Sequence, residues 1–468
     1  MINHENAQQF TQFREQVYQN FNKRSDTLMD LIDAISSNTQ ARSVVELSLQ
    51  DCFRRDYSSL FKAIAAYEPE KATKSLAQLA APYLPKPQKR KFWLFGVDVT
   101  SQSRPYAPTL QDRSYVYQPT PMRSNKPITI GHQYSDVFYL PEREPRPAKN
   151  WVVPLSTQRV KTSADKELVG AEQVCVLLED EKLPFHNQLC AEVVDSSYSK
   201  PAYLHANRSK GNLISIARSR GNRTYYRHPP GTEQPSSKGH PTWFGQEFRL
   251  LDPSTWPNPD ETAKTTFTSR GGKTYTVVMD AWYDMLMHGE RKPAPIPMQC
   301  HAFTLLRIRL FHATGELAYK NPMWLIVIGE KRRQLSLIEI FEAYQQRFDL
   351  EHFFRFGKQR MLLDEFQTPE TEYEEHWWQL VHLAYLQLWI ARYEADFLPR
   401  YWERSLPSMK VDAKTPSPAS VQRDFGRIIR RFGTPARLPK RRGKSPGRRQ
   451  GTILTRRVRP QVVFKGKT

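Results

Sequence analysis

One short stretch of the chain combines residue types that could act on a phosphodiester. Residues 344–358 read YQQRFDLEHFFRFGK, which places Tyr344, Arg347, Glu351 and Lys358 at fixed gaps. At about 100° per residue, these four side chains would share a helix face only about 60° wide. The simpler alternative is an i, i+4 ion pair between Arg347 and Glu351 on a solvated helix. The pattern is longer than such a pair requires, so it predicts a helix face that carries one acid between two cations.

Two aspartates upstream follow apolar runs. Asp98 ends the run FWLFGVDVT, and Asp195 follows LCAEVV. An apolar run that ends in Asp is typical of a buried strand delivering a polar side chain at its end. Such an aspartate can also be a turn or cap residue. The two aspartates are therefore candidates for catalysis that need support from their surroundings.

Periodicity and composition divide the chain into five segments. The predicted segments are a helical domain (1–85), a first part of an α/β core (90–211), a β-rich insertion (212–330), a second part of the core with the Glu351 helix (331–412) and a basic tail (413–468). Apolar residues return every three or four positions in the first and fourth segments, which is the helical period. The final 45 or so residues are rich in Pro, Gly and Arg, so we predict them to be extended or disordered.

The charge of the chain indicates a polyanionic partner. With 69 Lys and Arg against 48 Asp and Glu, the net charge is +21, and 15 Lys or Arg follow Asp424 without one acidic residue. Nucleic acid is the leading candidate partner, although a basic tail can also be a solvated arm.

The four cysteines show no CxxC pair, so neither a disulfide framework nor a structural zinc is indicated. No leader or membrane span is apparent, which favours a cytoplasmic location.

The Tyr-x2-Arg-x3-Glu-x6-Lys spacing resembles the Y-R-E-K signature of insertion-sequence transposases of the DDE class. The resemblance covers roughly residues 90 to 400 and implies a ribonuclease-H-like mixed sheet flanked by helices. It implies that Asp98, Asp195 and Glu351 form the catalytic, metal-binding triad. Asp280, in TVVMDAWYD, is a rival for the second acid. We favour Asp195 because it follows the helix that this fold requires and leaves room for an insertion before Glu351.

The resemblance also implies a chemistry. Two Mg²⁺ ions, which Mn²⁺ could replace, would activate the attacking oxygen and stabilise the leaving oxyanion, and carboxylates suit these hard cations. Arg347 and Lys358 would contact phosphates beside the scissile bond. Tyr344 would bond a phosphate or pack under the strand. Trp282, in the insertion, could stack on a flipped base, but core packing is the more economical interpretation.

Three functions are compatible with these features. The leading one is a bacterial transposase, active as a homodimer at the nucleoid, that cuts double-stranded DNA at terminal inverted repeats and joins it to target DNA. The second is a metal-dependent nuclease on the same scaffold that hydrolyses without joining. The third is a transposase-derived DNA-binding protein without catalysis, which the presence of all three acids disfavours. No phosphate-binding GxxxxGK[ST] loop occurs, so ATP is not implied.

Overall fold

A computed structural model describes residues 4–118, 127–143, 151–229, 243–269, 272–290, 295–396, 416–440, 447, 450–451, 453 and 456–463. The helices in these ranges are α1 (His4–Asn20), α2 (Ser25–Ser36), α3 (Tyr57–Ala65), α4 (Leu76–Ala80), α5 (Lys166–Glu179), α6 (Pro201–Ala206), α7 (Leu337–Gln346), α8 (Phe348–Arg360), α9 (Thr371–Ile390) and α10 (Pro418–Phe432). The strands are β1 (Trp93–Ser103), β2 (Ser114–Tyr117), β3 (Ile128–Tyr139), β4 (Val153–Val160), β5 (Cys190–Val194), β6 (Leu213–Ser219), β7 (Thr224–Tyr226), β8 (Glu247–Arg249), β9 (Glu261–Thr268), β10 (Thr274–Met285), β11 (Phe303–Phe311) and β12 (Met323–Ile328). Across the described ranges, no helix is both long and apolar enough to cross a bilayer.

The chain forms two compact units, each assembled from separate segments. The first unit comprises Met1–Pro85, Val99–Lys166 and Asp349–Thr468. The second unit comprises Lys86–Asp98 and Glu167–Phe348. Strand β1 contributes residues to both units, since the boundary falls directly after Asp98. The five sequence segments therefore remain predicted divisions, whereas the compact units combine parts of several of them.

The second unit is built on a mixed sheet. Its strands follow the order β1-β5-β6-β12-β11-β10-β9. Strands β1, β5 and β6 run parallel, and the remaining neighbours pair antiparallel. All residues of β5 are buried, as expected for a central parallel strand covered on both faces. Helix α7 packs against β5 and β9. The mixed α/β architecture predicted from the sequence is confirmed.

A fully buried carboxylate organises the chain that follows β5. Glu192 accepts hydrogen bonds from the Tyr203 hydroxyl (2.8 Å), the Asn207 amide (2.8 Å) and the Ser215 hydroxyl (2.6 Å). Burial raises the pKa of Glu192, and the three hydrogen bonds act in the opposite direction. Since these donors lie on α6, on the following turn and on β6, the network fixes the segment that begins at Asp195.

The first unit contains the helical N-terminus, which confirms that part of the predicted fold. Helices α1, α2 and α3 pack against α9, whose side chains are mostly buried. A buried ion pair joins α1 to α2, with Arg14 Nη1 lying 2.5 Å from Asp33 Oδ1. Arg14 also donates to Gln387 of α9 (2.9 Å) and to the carbonyl of Gly433 (3.1 Å). A buried charge that is paired and fully hydrogen-bonded in this way fixes one arrangement of the helices.

In the same unit, β3 packs on α9 through polar and aromatic contacts. His132 Nδ1 lies 2.7 Å from Glu374 Oε1, and the Tyr134 hydroxyl donates to the same oxygen at 2.9 Å. The Tyr134 ring stacks on Trp378 with a centroid separation of 3.9 Å. These residues alternate along β3 and recur at intervals of four along α9, so the periods of strand and helix bring them together.

The single helix predicted for LSLIEIFEAYQQRFDLEHFFRFGKQRM is wrong at one point. Helix α7 ends at Gln346 and α8 begins at Phe348. Between them, the Arg347 N–H donates to the Tyr344 carbonyl at 3.1 Å, an i to i−3 bond that tightens the last turn of α7. The boundary between the two units follows directly, after Phe348. Arg347 itself keeps right-handed helical torsion angles (φ −52°, ψ −34°), so the interruption is a local change of hydrogen bonding.

Two further predictions from sequence need correction. Residues 418–432, inside the predicted extended tail, form α10, which buries Val421, Phe425 and Ile428 at i, i+4 and i+7. The prediction gave more weight to the surrounding Arg, Pro and Gly residues than to this amphipathic spacing. Strand β6, assigned to the insertion, pairs in parallel with β5 and belongs to the central sheet. Much of the tail beyond Lys440 lies outside the described residues, including 441–446 and 464–468.

Candidate active site

The second unit places the two predicted aspartates on neighbouring strands. Strands β1 and β5 are parallel, and Gly96 is paired with Val193. Two residues further along each strand, the same register sets Asp98 opposite Asp195. Adjacent strands are about 4.8 Å apart, so this register sets the backbones of the two acids at neighbouring positions. Two positions that are separate in sequence are thereby brought close together.

Asp195 is oriented by its own backbone turn. Its Oδ1 accepts hydrogen bonds from the Ser197 N–H and the Ser197 hydroxyl, both at 2.7 Å. The carboxylate thus caps the short 3₁₀ turn Ser196–Tyr198. The capping role considered from the sequence is present, and both of these bonds go to Oδ1 rather than Oδ2. The capping bonds restrict the side chain, which is an advantage for a ligand that must be held in place.

Arg347, at the end of α7, contacts the first of these aspartates, and Tyr344 lies one turn earlier. Arg347, only 8% exposed, has Nη1 3.5 Å from Asp98 Oδ2. Tyr344 is fully buried, and burial raises the pKa of its hydroxyl. The charges of Arg347 and Arg218 act to lower the pKa of Tyr344, and the charge of Asp195 acts to raise it. The end of α7 therefore contacts β1 at Asp98.

Arg218 is a basic residue of this region that the sequence analysis did not single out. In the register of β5 with β6, Val194 is paired with Ala217, so Arg218 follows at the level of Asp195. Its side chain is exposed. The signal in the sequence was the polar end of the apolar run LISIARSR, which repeats the strand-then-charge pattern of the two aspartates.

Glu351 belongs to the first unit and lies in the first turn of α8. The same turn carries a second acid, Asp349, which is buried and bonded to Arg143 at 3.0 Å. Glu351 is exposed. Of the two carboxylates, Asp349 therefore serves packing, whereas Glu351 is accessible to a ligand. Its convergence with Asp98 and Asp195 stays a prediction.

Lys358 also belongs to the first unit. Its Nζ donates to the Ser101 carbonyl at 2.7 Å and lies 3.5 Å from Asp364 Oδ2. Ser101 is on the second part of β1, three residues beyond Asp98. The ammonium group is thus held beside the continuation of the strand that carries the first acid. Since the side chain is 29% exposed, it retains access to solvent.

The rival acid, Asp280, occupies a structural position. It is 4% exposed on β10, and its Oδ2 lies 2.7 Å from Arg307 and 3.0 Å from Arg309. Five strand spacings separate β10 from β1 in the sheet, about 24 Å at 4.8 Å each. At that distance Asp280 cannot share a metal ion with Asp98. This arrangement supports the assignment of Asp195.

Trp282 is packed in the core of the second unit. It is 1% exposed, and its indole N–H donates to the Pro257 carbonyl at 2.9 Å. Phe248, Trp256 and Trp324 surround its ring at centroid distances of 4.9, 6.3 and 5.8 Å. No ring face of Trp282 is accessible to a base in this arrangement, so the structure favours the packing interpretation over base stacking.

The donor set of the second unit fits hard divalent cations. Asp98 and Asp195 supply carboxylate oxygens side by side, and Mg²⁺ prefers oxygen ligands while keeping several waters. Within the described part of the chain, no three His, Cys, Asp or Glu side chains are already gathered as a metal site. The two aspartates could therefore supply part of a coordination shell, and Glu351 remains the predicted third ligand.

The fold is a mixed sheet flanked by helices, of the ribonuclease-H-like class, in which Asp98 lies within β1 and Asp195 directly follows the adjacent parallel strand β5. A sequence profile of the family described as DDE superfamily endonuclease matches residues 16–288. This match covers more than half of the chain, and the protein belongs to that family. The matched range contains Asp98 and Asp195 but ends before Glu351. Among curated proteins, none matches the chain significantly.

Proposed function

We propose that the protein is a DDE transposase that cuts DNA at the ends of an insertion sequence and joins those ends to target DNA. The observation that carries this proposal is the contact of Arg347 with Asp98 in the second unit, where Arg347 Nη1 lies 3.5 Å from Asp98 Oδ2. The Y-R-E-K spacing and the two aspartates are independent features of the sequence. Their proximity supports one site rather than two coincidental patterns.

The residues of the proposed site would have distinct roles. Asp98, Asp195 and Glu351 would hold two Mg²⁺ ions, which Mn²⁺ could replace. When bound, such ions activate an attacking oxygen and stabilise the leaving oxyanion. Arg347, beside Asp98, would balance the charge of the acids and bind a phosphate oxygen.

Lys358 would bind a second phosphate as a point charge. Tyr344, enclosed by burial, would pack beneath the acids and orient Arg347.

The remaining partners follow from the charge and the helical N-terminus. The helices of residues 1–85 would read the terminal inverted repeats, and the basic segment after residue 433 would contact phosphates with little sequence information. Two copies would pair the two ends in one synaptic complex. Such a reaction requires access to chromosomal DNA, which places the protein in the bacterial cytoplasm, at the nucleoid.

Cleavage and joining assays with matched variants test the proposal. Purified protein with Mg²⁺ and DNA carrying the element's ends should give cleaved ends and joined products. Asp98→Asn should lower both by orders of magnitude, because it removes a ligand charge while keeping the side chain's shape. Asp280→Asn serves as the control, since Asp280 lies too far from the site to bind the same metal. Equal losses in the two variants would contradict the assignment.

The same assay separates the transposase from a nuclease. The family's description is endonuclease, which is compatible with hydrolysis alone. A nuclease would release cut ends that never appear in a joined product. Strand transfer of a pre-cut end, whose 3′-hydroxyl attacks target DNA directly, therefore decides between the two functions.

A further inference from the structure

A buried carboxylate lies three residues before Asp195, on the strand that leads to it. Glu192 is fully buried, and the other residues of β5 (Cys190–Val194) are buried and uncharged. A buried carboxylate has a desolvation cost that an apolar residue at the same position would avoid, so the sheet itself does not require one. A buried polar group can instead fix one arrangement of the chain around it. The contacts of Glu192 show which part of the chain is fixed.

Tyr203 joins this carboxylate to helix α6. Its hydroxyl donates to Glu192 Oε2 at 2.8 Å, and the side chain is fully buried. Burial and the charge of Glu192 raise the pKa of the Tyr203 hydroxyl well above its usual range, so the hydroxyl keeps its proton and acts as a donor. Because the hydroxyl lies on the long axis of the ring, this bond also fixes the direction of the ring.

The Tyr203 ring packs against the turn that Asp195 caps. Tyr198 is the last residue of that turn (Ser196–Tyr198) and is buried. The two tyrosine rings meet edge to face, with centroids 4.8 Å apart and an interplanar angle of 73°, which is a favourable geometry for aromatic pairs. Asp195 is bonded to the same turn through Oδ1. A continuous series of contacts therefore leads from Glu192 to the Asp195 carboxylate.

The remaining contacts of Glu192 balance its charge on the side of β6. The Ser215 hydroxyl donates to Glu192 Oε1 at 2.6 Å and accepts from Arg208 Nη2 at 2.8 Å. Burial lowers the pKa of Arg208 to about 10, so the guanidinium stays charged at neutral pH and supplies the counter-charge. Ser215 thus ties the carboxylate to β6, whereas Tyr203 ties it to the chain after β5.

We propose that Glu192 is a positioning residue for Asp195. Through the Tyr203 ring it holds the turn Ser196–Tyr198, and this turn holds the Asp195 carboxylate. The proposal rests on the proposed function, in which Asp195 is a metal ligand. Glu192 itself is buried and accepts three hydrogen bonds, so it acts through Asp195 and not as a ligand. Loss of a residue that orients a metal ligand typically weakens metal binding by about 10–100-fold.

The test removes one hydroxyl from each side of this network. Y203F keeps the ring but removes the hydroxyl that binds Glu192 on the path to Asp195. S215A is the matched control, because it removes a hydroxyl that binds the same carboxylate on the side of β6. Each variant leaves Glu192 with two of its three hydrogen bonds, so the thermal midpoint without metal should fall in both. S215A also removes an acceptor of Arg208, which makes it a stringent control for lost stability.

Metal binding is the readout that separates positioning from stability. Binding of Mn²⁺ to the full-length protein is measured from the electron paramagnetic resonance signal of free Mn²⁺. Y203F should raise the dissociation constant of Mn²⁺ by about tenfold and shift the Mg²⁺ concentration for half-maximal DNA cleavage in the same direction. The maximal cleavage rate at saturating Mg²⁺ should recover, because the three proposed metal ligands are unchanged. S215A should leave both metal concentrations as in the unchanged protein.

An unchanged dissociation constant of Mn²⁺ in Y203F would overturn the proposal. An equal increase in S215A would overturn it as well, since the effect would then be a general loss of stability. D195N identifies a failure of the proposed function: it should weaken Mn²⁺ binding more than Y203F does, because it removes the ligand charge itself. If D195N bound Mn²⁺ as the unchanged protein does, Asp195 would not be a ligand, and the proposed function would fail whatever the result for Y203F.

Discussion

Glu351 and Lys358 lie seven residues apart on α8, yet the roles proposed for them differ in kind. Glu351→Gln removes the charge that would hold a metal ion, so DNA binding should survive while cleavage and joining fall by orders of magnitude. Lys358→Ala removes a phosphate contact and leaves the acids intact, so measurable cleavage should remain with weaker positioning of the strand. Folding should be nearly unchanged for Glu351→Gln, because Glu351 is exposed.

Cleavage rates and end binding, measured on both α8 variants, check this division of roles. Equal and complete inactivity of the two, with intact end binding, would contradict it. Full activity of Glu351→Gln would remove the metal mechanism altogether.

Asp280 should matter for stability and not for chemistry. Asp280→Asn would leave Arg307 and Arg309 without their shared carboxylate on a largely buried stretch of the sheet. Hydrogen bonds to charged groups contribute about 2 kcal/mol, so the free energy of unfolding should fall by roughly that amount. Chemical denaturation measures the change. A variant that is fully stable but catalytically dead would instead return Asp280 to the list of candidate metal ligands.

Trp282 allows a direct choice between packing and base stacking. Trp282→Ala should cost about 3–5 kcal/mol of stability, because a buried ring among three aromatic neighbours is removed. Trp243→Ala is the matched control, since Trp243 is 44% exposed and should cost far less. Denaturation midpoints of the two variants provide the comparison. Nearly equal, small losses of stability, together with a loss of cleavage in Trp282→Ala alone, would revive the stacking role.

At the scale of elements, the sequence patterns predicted strands β1 and β5 more accurately than the helical stretch that begins near residue 335. The run before Asp98 is the first half of β1, which continues to Ser103, and the run before Asp195 is β5. Unbroken apolar runs suit buried parallel strands. The stretch from residue 335 keeps a helical period throughout, and nothing in its composition marks the i to i−3 bond at Arg347. At this point Arg347 pairs with Asp98, a partner that is distant in sequence and absent from any local window.

Helix α10 and strand β6 show a second limit of sequence patterns. From composition, α10 was assigned to an irregular tail and β6 to an inserted segment. The reason is that α10 is embedded among Arg and Pro residues, and β6 lies in strand-rich, Gly-containing sequence. What decides each element is a partner distant in sequence: Phe10 for α10 and β5 for β6. A local window contains neither partner.

At the scale of the whole molecule, the chain after α10 is strongly basic. Its contribution to DNA binding can therefore be tested by truncation. The chain just after α10 is anchored, because Arg54 and Arg55 donate to the Ala436 and Arg437 carbonyls at 3.0 and 2.7 Å. A truncation after Lys440 keeps this anchor. It removes ten Lys or Arg and no acidic residue.

The truncated protein should bind all DNA sequences more weakly and to a similar degree, with a flatter dependence on salt, because phosphate neutralisation carries no sequence information. Titrations of an end-containing duplex and a scrambled duplex, each at several salt concentrations, measure this. Cleavage at saturating DNA should persist, since Asp98, Asp195 and Glu351 are retained. A loss of affinity confined to the element's own ends would show that the tail reads sequence, and the role of nonspecific phosphate contact would then pass to the folded units alone.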